Sequence, residues 1–245
     1  AMKRKLSYLL IPVAWIISIY PLQAQTSEWV IYHMDNTGIP YNSEIREVLV
    51  DDDDNIWAGT SNDGLIKFDG EVWTVYNKDN SWLPGNNITA LEMDNYGNLW
   101  IGTRHGNGLT KFDGTNWRAY LPVNSQVPDE IIHSIVFDSN NVMWFASGQG
   151  TLARVEGLSV SNEPVWTFYD AEDYSEITNI YNPDGIAALA MDNTDCLWIR
   201  KLEGDCLVSF DGDSFERHSS SEICYGFGRS LAIDQNNHIW VDIEG

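Results

Sequence analysis

The sequence predicts an all-β protein whose short antiparallel strands form the four-stranded blades of a β-propeller. One reason is a local pattern, an Asp six residues before a Trp, that occurs five times, with its indoles at Trp57, Trp100, Trp144, Trp198 and Trp240. These Trp residues are 43, 44, 54 and 42 residues apart, and a period of about 40–45 residues is typical of four-stranded propeller repeats. The second reason is that each repeat contains four short apolar or aromatic runs between Gly, Asn and Asp clusters, as expected of hairpins.

The first repeat illustrates the four strands of one blade. They are predicted at residues 45–50, 55–60, 65–68 and 72–76. In most copies the first strand is apolar on both faces, as in Ile135-Val136-Phe137, which indicates an inner strand buried between neighbouring blades. By alignment, the blades span about 45–76, 88–120, 132–169 and 186–218, and a partial blade spans 228–245.

The repeats also predict their own turns. The residue three before each core Trp is of a type that tolerates positive φ, namely Asp54, Gly97, Asn141, Asp195 and Asn237. The Asp six before the Trp is expected to accept backbone N–H groups, as in an Asx-turn. A second turn reads Phe-Asp-Gly at Phe68, Phe112 and Phe210 and is followed by an aromatic residue.

The two ends of the chain predict secretion and an incomplete ring. Residues 1–24 have a basic start, an apolar run and a small residue at Ala24, as a cleaved signal peptide does; an uncleaved anchor helix is the alternative. Residues 28–32 read as a lone outer strand, and the last repeat stops within its second strand. We therefore expect a fragment of a ring of about six to eight blades, the usual range.

Several strings resemble the two-component regulator propeller repeat. The best are Asp94-Asn-Tyr-Gly-Asn-Leu-Trp-Ile-Gly-Thr103 and Gly108-Leu-Thr-Lys-Phe-Asp-Gly114, with similar strings in the first repeat. The third and fourth repeats depart from the pattern after their Trp. The resemblance implies an extracytoplasmic sensor of hybrid histidine kinases, often for polysaccharide fragments, or a stand-alone secreted module. It makes a histidine kinase module a candidate downstream partner.

The charge of the chain restricts its partners. The net charge is −22, and the predicted signal peptide holds three of the fourteen basic residues. An acidic domain without a basic stripe argues against nucleic acid and against anionic membrane surfaces. It is compatible with neutral sugars, cations or protein partners, and we expect no membrane span in the mature chain. Among the three cysteines, either Cys206 and Cys224 form a disulfide or the thiols are free.

Two features outside the repeat scaffold suggest a ligand site. Trp82 lies in a loop between blades, where an exposed indole could stack on a sugar ring; local packing over Pro84 is the alternative. At the start of the inner strands, Arg46, His133 and Arg229 form a partial basic ring for an anion; ion pairing, for example with Glu47, is the alternative. The loop of Arg104, His105 and Asn107 is expected at the same channel mouth.

Metal and catalytic signals are weak. Asp51 and Asp54 have turn roles, so the acidic run at 51–54 is a poor calcium loop, and no His spacing or nucleophile motif is present. We predict a non-catalytic extracytoplasmic propeller, without metal or cofactor, that binds a carbohydrate or another small ligand and feeds a two-component system. The alternatives are an enzyme resembling streptogramin lyases, with His105 or His133 as base, and a secreted protein-interaction module.

Overall fold

Five antiparallel sheets follow one another along the chain in the computed structural model. The structure describes residues 44–104, 108–128, 131–148, 150–158, 164–169, 185–201, 207–218 and 230–242. Four of the sheets have four strands, and the fifth has two within the described residues. We call them blades 1 to 5. The predicted signal peptide at 1–24 and the predicted strand at 28–32 lie outside the described residues.

In each complete blade the strands are hydrogen-bonded in sequence order. Blade 1 contains β1 (Ile45–Val50), β2 (Ile56–Thr60), β3 (Leu65–Phe68) and β4 (Trp73–Tyr76). Blade 2 contains β5 (Ile88–Met93), β6 (Leu99–Thr103), β7 (Leu109–Phe112) and β8 (Trp117–Tyr120). Blade 3 contains β9 (Ile132–Phe137), β10 (Met143–Ser147), β11 (Leu152–Glu156) and β12 (Val165–Tyr169). Blade 4 contains β13 (Ile186–Met191), β14 (Leu197–Lys201), β15 (Leu207–Phe210) and β16 (Phe215–His218). Blade 5 contains β17 (Leu231–Ile233) and β18 (Ile239–Val241).

The predicted turns are confirmed. Each first hairpin has a positive φ three residues before its Trp, at Asp54, Gly97, Asn141, Asp195 and Asn237. In the first of these hairpins, the carboxylate of Asp51 accepts hydrogen bonds from the backbone N–H groups of Asp53 and Asn55. Its second oxygen accepts a bond from the indole Nε1 of Trp57 at 2.8 Å. The sequence did not predict this indole bond, which fixes the ring relative to its own turn.

The Phe-Asp-Gly turns are closed by stacked aromatic pairs. Phe68 stacks on Trp73, Phe112 on Trp117 and Phe210 on Phe215, with ring centroids 4.2–4.4 Å apart. In the turn that joins Phe112 to Trp117, the carboxylate of Asp113 accepts hydrogen bonds from the backbone N–H groups of Thr115 and Asn116. These bonds hold the pKa of Asp113 below its usual value. The turn is therefore stabilised by an ionised carboxylate and a stacked ring pair.

The blades pack face to face, with their first strands next to one another. β1 contacts β5, β5 contacts β9, β9 contacts β13 and β13 contacts β17. In blades 1 to 3 the Trp shares a core cluster with the inner strand of the next blade, as Trp57 does with Ile88 and Leu91. Gly59 permits this approach, because a Cβ there would lie 2.6 Å from the Ile88 side chain. This is the predicted radial arrangement of propeller blades.

The arc of described blades is open at both ends. Val48 of β1 is 60% exposed, whereas its equivalent in blade 2, Leu91, is 8% exposed. At the other end Trp240 is 63% exposed, whereas Trp100 is fully buried. The two open faces are complementary. In an interface between blades the Trp of one blade packs on the inner strand of the next, and Trp240 and Val48 are the exposed members of these two surfaces.

Candidate functional site

An axial channel passes along the inner strands. Its central cavity has a volume of about 310 Å³ and is lined by residues from the first strands of all five blades. A mouth cavity of about 530 Å³ shares Arg46, Glu47 and His133 with it. A third cavity, of about 420 Å³, is lined by Glu92 and by apolar residues such as Met93 and Phe137. The cavities therefore follow one another along the channel.

A β-bulge lies at the same place in each complete blade. The pairing of the first two strands skips one residue, which is Arg46, Thr89, His133 or Ala187. Bulges bend a strand and redirect a side chain, and they are common at rims and beside functional sites. All four bulge residues line the mouth cavity. The sequence predicted this position as a candidate site because several repeats have a basic residue there, but it did not predict the bulge.

The mouth brings together three of the predicted basic residues. Arg46, His133 and Arg104 all line this cavity, although they come from different blades. His105, Asn107 and Arg229 lie outside the described residues, and Ser230, which follows Arg229, lines the mouth.

Arg46 forms an ion pair with a nearby acidic residue, which is the alternative that the sequence left open for the basic ring. Its guanidinium lies 3.6 Å from the carboxylate of Glu44. Glu44 is close because it immediately precedes the strand and stays at the rim, whereas Glu47 lines the central cavity as well. The side chain of Arg46 remains about one third exposed. An exposed pair of this kind contributes little stability, and the guanidinium keeps donors for a ligand.

Arg104 and Asn87 carry unmatched polar atoms beside this cavity. The backbone N–H of Arg104 donates to the carbonyl of Asn87 at 3.0 Å. Arg104 Nε and Asn87 Oδ1 are both buried and lack a hydrogen-bond partner among the described residues. Unmatched buried polar atoms are costly and are usually satisfied by water or a ligand. Of the two residues only Arg104 lines the mouth, so the mouth contains one donor atom that the described residues leave unmatched.

The structure adds two carboxylates that sequence reasoning missed. Glu47 and Glu92 both line the central cavity. Burial, followed by the neighbouring Glu92 carboxylate, raises the pKa of Glu47 to about 7. Burial also raises the pKa of Glu92. Comparison of the repeats could have identified both carboxylates, because the equivalent positions of the other inner strands hold small or apolar residues. These are Ala90, Ser134 and Ala188 for Glu47, and Leu49, Val136 and Ala190 for Glu92.

The side chain of Trp82 is exposed to solvent on a loop whose internal hydrogen bonds do not involve it. The indole is 82% exposed, which excludes the alternative that local packing over Pro84 covers it. The equivalent loop between blades 2 and 3 has Gln126 at this position. Both loops are closed by the same internal hydrogen bonds. A serine hydroxyl, of Ser81 or Ser125, donates to a backbone carbonyl, and an asparagine amide oxygen, of Asn80 or Asn124, accepts from a backbone N–H. The ring is therefore an addition to a self-sufficient loop.

The acidic run at 51–54 and the three cysteines were the other candidate sites in the sequence. The carboxylate of Asp51 is occupied by bonds within its own turn. Within the described ranges, no group of three or more His, Cys, Asp or Glu side chains could hold a metal ion. Cys206 and Cys224 lie outside the described residues. Cys196 is a free thiol, and burial raises its pKa.

Blade 4 departs from its neighbours at the channel side of its second strand. Arg200 is 1% exposed and occupies the position of Gly59 and Gly102. Its guanidinium reaches the carbonyl oxygen of Asp242 in blade 5 at 3.3 Å. The buried arginine thus connects two blades where glycines allow close packing elsewhere.

One repeat matches a family model. Residues 83–105 match the model described as "Two component regulator propeller". This match includes Asp94–Thr103, one of the strings on which the resemblance was based. No curated protein matches the chain. Within the described ranges, no helix has the length and apolarity required to cross a membrane.

Solved structures with the same fold include an enzyme and proteins of other kinds. Virginiamycin B lyase from Staphylococcus aureus has a TM-score of 0.62 and 13% identity, over 80% of this chain and 62% of the lyase. The extracellular domain assigned to a hybrid two component system of B. thetaiotaomicron has a TM-score of 0.59 and 19% identity, over 81% of this chain and 26% of that chain. PorZ, a surface component of the type-IX secretion system of Porphyromonas gingivalis, has a TM-score of 0.55 and 16% identity, over 81% and 31%. The chain thus spans less than two thirds of each, and at these identities the likeness establishes the β-propeller fold.

Proposed function

We propose that this chain, which carries a two component regulator propeller repeat, is a non-catalytic extracytoplasmic propeller that senses a carbohydrate or another small polar ligand at its channel mouth. Ligand binding would feed a two-component system through a downstream histidine kinase. The predicted signal peptide and the similarity to an extracellular domain of a two component system support the location and the role.

The observation that carries this proposal is the construction of the mouth. Four bulges aim side chains into one cavity of about 530 Å³, a size within the usual range for ligand pockets. Arg46, Arg104 and His133 supply donors in that cavity. The buried Nε of Arg104, which lacks a partner among the described residues, suits a hydroxyl-rich ligand, because a sugar hydroxyl can accept its hydrogen bond.

Trp82 supplies a second recognition element in this proposal. Aromatic rings present a large apolar face at low entropic cost, and the apolar face of a pyranose can stack on it. A single indole that is 82% exposed, on a loop whose other bonds are complete, has no structural duty that would explain it. We assign it to ligand contact beside the mouth.

A glycan-array screen of the full-length secreted protein, followed by calorimetry on the hits, tests the proposal. Trp82→Gln, which copies the sister loop, should weaken the binding of a hit about two- to tenfold, since stacking is worth about 0.5–1.5 kcal/mol. Gln126→Ala is the matched control and should change nothing. A screen without hits contradicts the proposal, and conversion of a bound glycan into a product of altered mass favours the lyase-like alternative.

A further inference from the structure

The channel separates charge along its axis. Arg104, Glu44 and Thr89 line the mouth cavity but not the central one. Arg46, Glu47 and His133 line both cavities and so lie at their junction. Glu92 lines the central cavity and the one beyond it. Moving inward, a ligand first meets two guanidinium groups, of which that of Arg46 is partly offset by Glu44, and then the carboxylates of Glu47 and Glu92.

The separation is short enough for one small molecule to span it. Glu47 follows the bulge residue Arg46 directly, and Glu92 lies three residues beyond its own bulge residue, Thr89. Strands rise by about 3.3 Å per residue, so the carboxylates lie about 3–10 Å deeper than the rim. This range matches the spacing of the substituents on a single sugar ring or a similarly small molecule.

The paired carboxylates are unfavourable in the absence of a cation. Burial disfavours the charge of both carboxyl groups, and the neighbouring Glu92 adds to this effect at Glu47, so the pKa values of both are raised. An ammonium group placed between them offsets the cost of ionising both groups and donates hydrogen bonds to their oxygens. At the rim, an arginine presents several donors that suit a carboxylate.

We propose that the channel selects a zwitterionic ligand, with its acid group at the rim against Arg104 and Arg46 and its amine deeper, against Glu47 and Glu92. This inference rests on the proposed binding function of the mouth and specifies the chemical class of the ligand. Amino sugar acids and other small molecules that carry both groups belong to that class. A neutral sugar has no charged group to pair with the arginines at the rim or with the carboxylates below them.

Four related monosaccharides test the inference by calorimetry on the full-length secreted protein at neutral pH. Glucose carries neither charge, glucuronic acid carries the acid, glucosamine carries the amine, and glucosaminuronic acid carries both. We expect glucosaminuronic acid to bind at least about tenfold more tightly than either singly charged sugar, and glucose to bind most weakly.

Substitutions then assign each charge to its layer. Glu47→Gln should weaken glucosamine about tenfold or more while strengthening glucuronic acid, because it removes a cation partner and an anion repellent together. Arg104→Gln should weaken glucuronic acid and leave glucosamine unchanged or tighter. Arg118→Gln and Glu216→Gln, on the outermost strands β8 and β16, are the matched controls and should leave all four sugars unchanged.

The possible results separate this inference from the proposed function. Equal binding of all four sugars, or variants that shift all sugars alike, overturns the zwitterion assignment while leaving a sugar-binding mouth intact. Absence of binding by every probe also overturns it, and the glycan array then decides the proposed function independently. Because a misfolded variant would weaken all four ligands, the opposite effects expected for glucosamine and glucuronic acid distinguish recognition from unfolding.

Discussion

The side-chain Oδ1 of Asn141 accepts a hydrogen bond from the backbone N–H of Asn95, at 2.7 Å, and so joins blade 3 to blade 2. The same bond joins blades 4 and 3 through Asp195 and Ser139, and blades 5 and 4 through Asn237 and Asn193. In each case the acceptor belongs to the residue with positive φ in the first hairpin. A left-handed turn residue thus has two roles, since it closes its own hairpin and holds the preceding blade.

Removing this acceptor should loosen one interface without disturbing the hairpin. Asn141→Gly keeps the positive φ of 61° accessible but deletes the acceptor, so we expect a loss of about 1 kcal/mol in the free energy of unfolding. Asn141→Ala should lose about 1 kcal/mol more, because alanine tolerates the left-handed conformation poorly. Urea denaturation of both variants measures the difference, and equal stability of wild type and Asn141→Gly would contradict the role of the bond.

The missing bond between blades 1 and 2 can be added. The equivalent hairpin residue in blade 2 is Gly97, whose φ is +76° and whose Cβ would meet nothing within 4 Å. Gly97→Asn should place an amide oxygen near the backbone N–H of Asp52 and raise the free energy of unfolding by about 0.5–1 kcal/mol. Gly97→Ala serves as the control and should destabilise the protein. A destabilised asparagine variant would argue against the transfer of this geometry between blades.

The two classes of indole should respond differently to truncation. Trp100 is fully buried, donates to Asp94 at 2.9 Å and stacks on Tyr120. Trp100→Ala should therefore lose about 3–5 kcal/mol, and Trp100→Phe should lose less because it keeps much of the apolar volume. Trp82→Gln should stay within about 0.5 kcal/mol of wild type, as exposed substitutions do. Thermal and urea unfolding provide the comparison, and a stable Trp100→Ala protein would refute the scaffold role of this indole.

The raised pKa of Glu47 predicts a pH dependence of stability. The folded protein binds this proton more tightly than the unfolded chain, whose carboxyl has its ordinary pKa of 4.5, and the folded pKa is about 7. The free energy of unfolding should therefore fall as pH rises from about 4.5 to about 7, by up to about 3 kcal/mol. Glu92 acts in the same direction, since its pKa is also raised.

Substitution isolates the contribution of Glu47 to this dependence. Glu47→Gln should flatten the decline across the window and be more stable than wild type at pH 7, whereas Glu216→Gln, with an exposed side chain, should keep the wild-type slope. Denaturation midpoints measured at several pH values give the slopes. A wild-type stability that increases over the same window would show that these carboxyls are not buried together in solution.

Much of the fold could be predicted because the repeats make the same demands several times. The period of the Trp residues gives the blade, and Asp, Gly or Asn at one position in every hairpin gives its left-handed turn, as Asp54 and Asn141 confirm. The indole bond to Asp51 was not predicted. Backbone turn preferences are local and can be read from residue types, whereas the direction of a side chain depends on packing.

The site was predicted less completely. Charge at a repeated position identified Arg46 and His133, and the structure places both at one mouth. Glu47 was considered only as an ion-pair partner and Glu92 not at all, because the two come from different blades and are 45 residues apart in sequence. Their proximity is a property of two inner strands lying side by side, which no local pattern contains.

The sequence by itself therefore determined the repeat, its strands, its turns and the exposed Trp82, since each depends on local geometry or on comparison between copies. The tertiary structure alone decided which side chains share the channel, where the bulges direct them and how burial and the neighbouring Glu92 raise the pKa of Glu47. The physical reason is that burial and electrostatic coupling depend on distance in space, and the radial packing of the blades brings distant strands together.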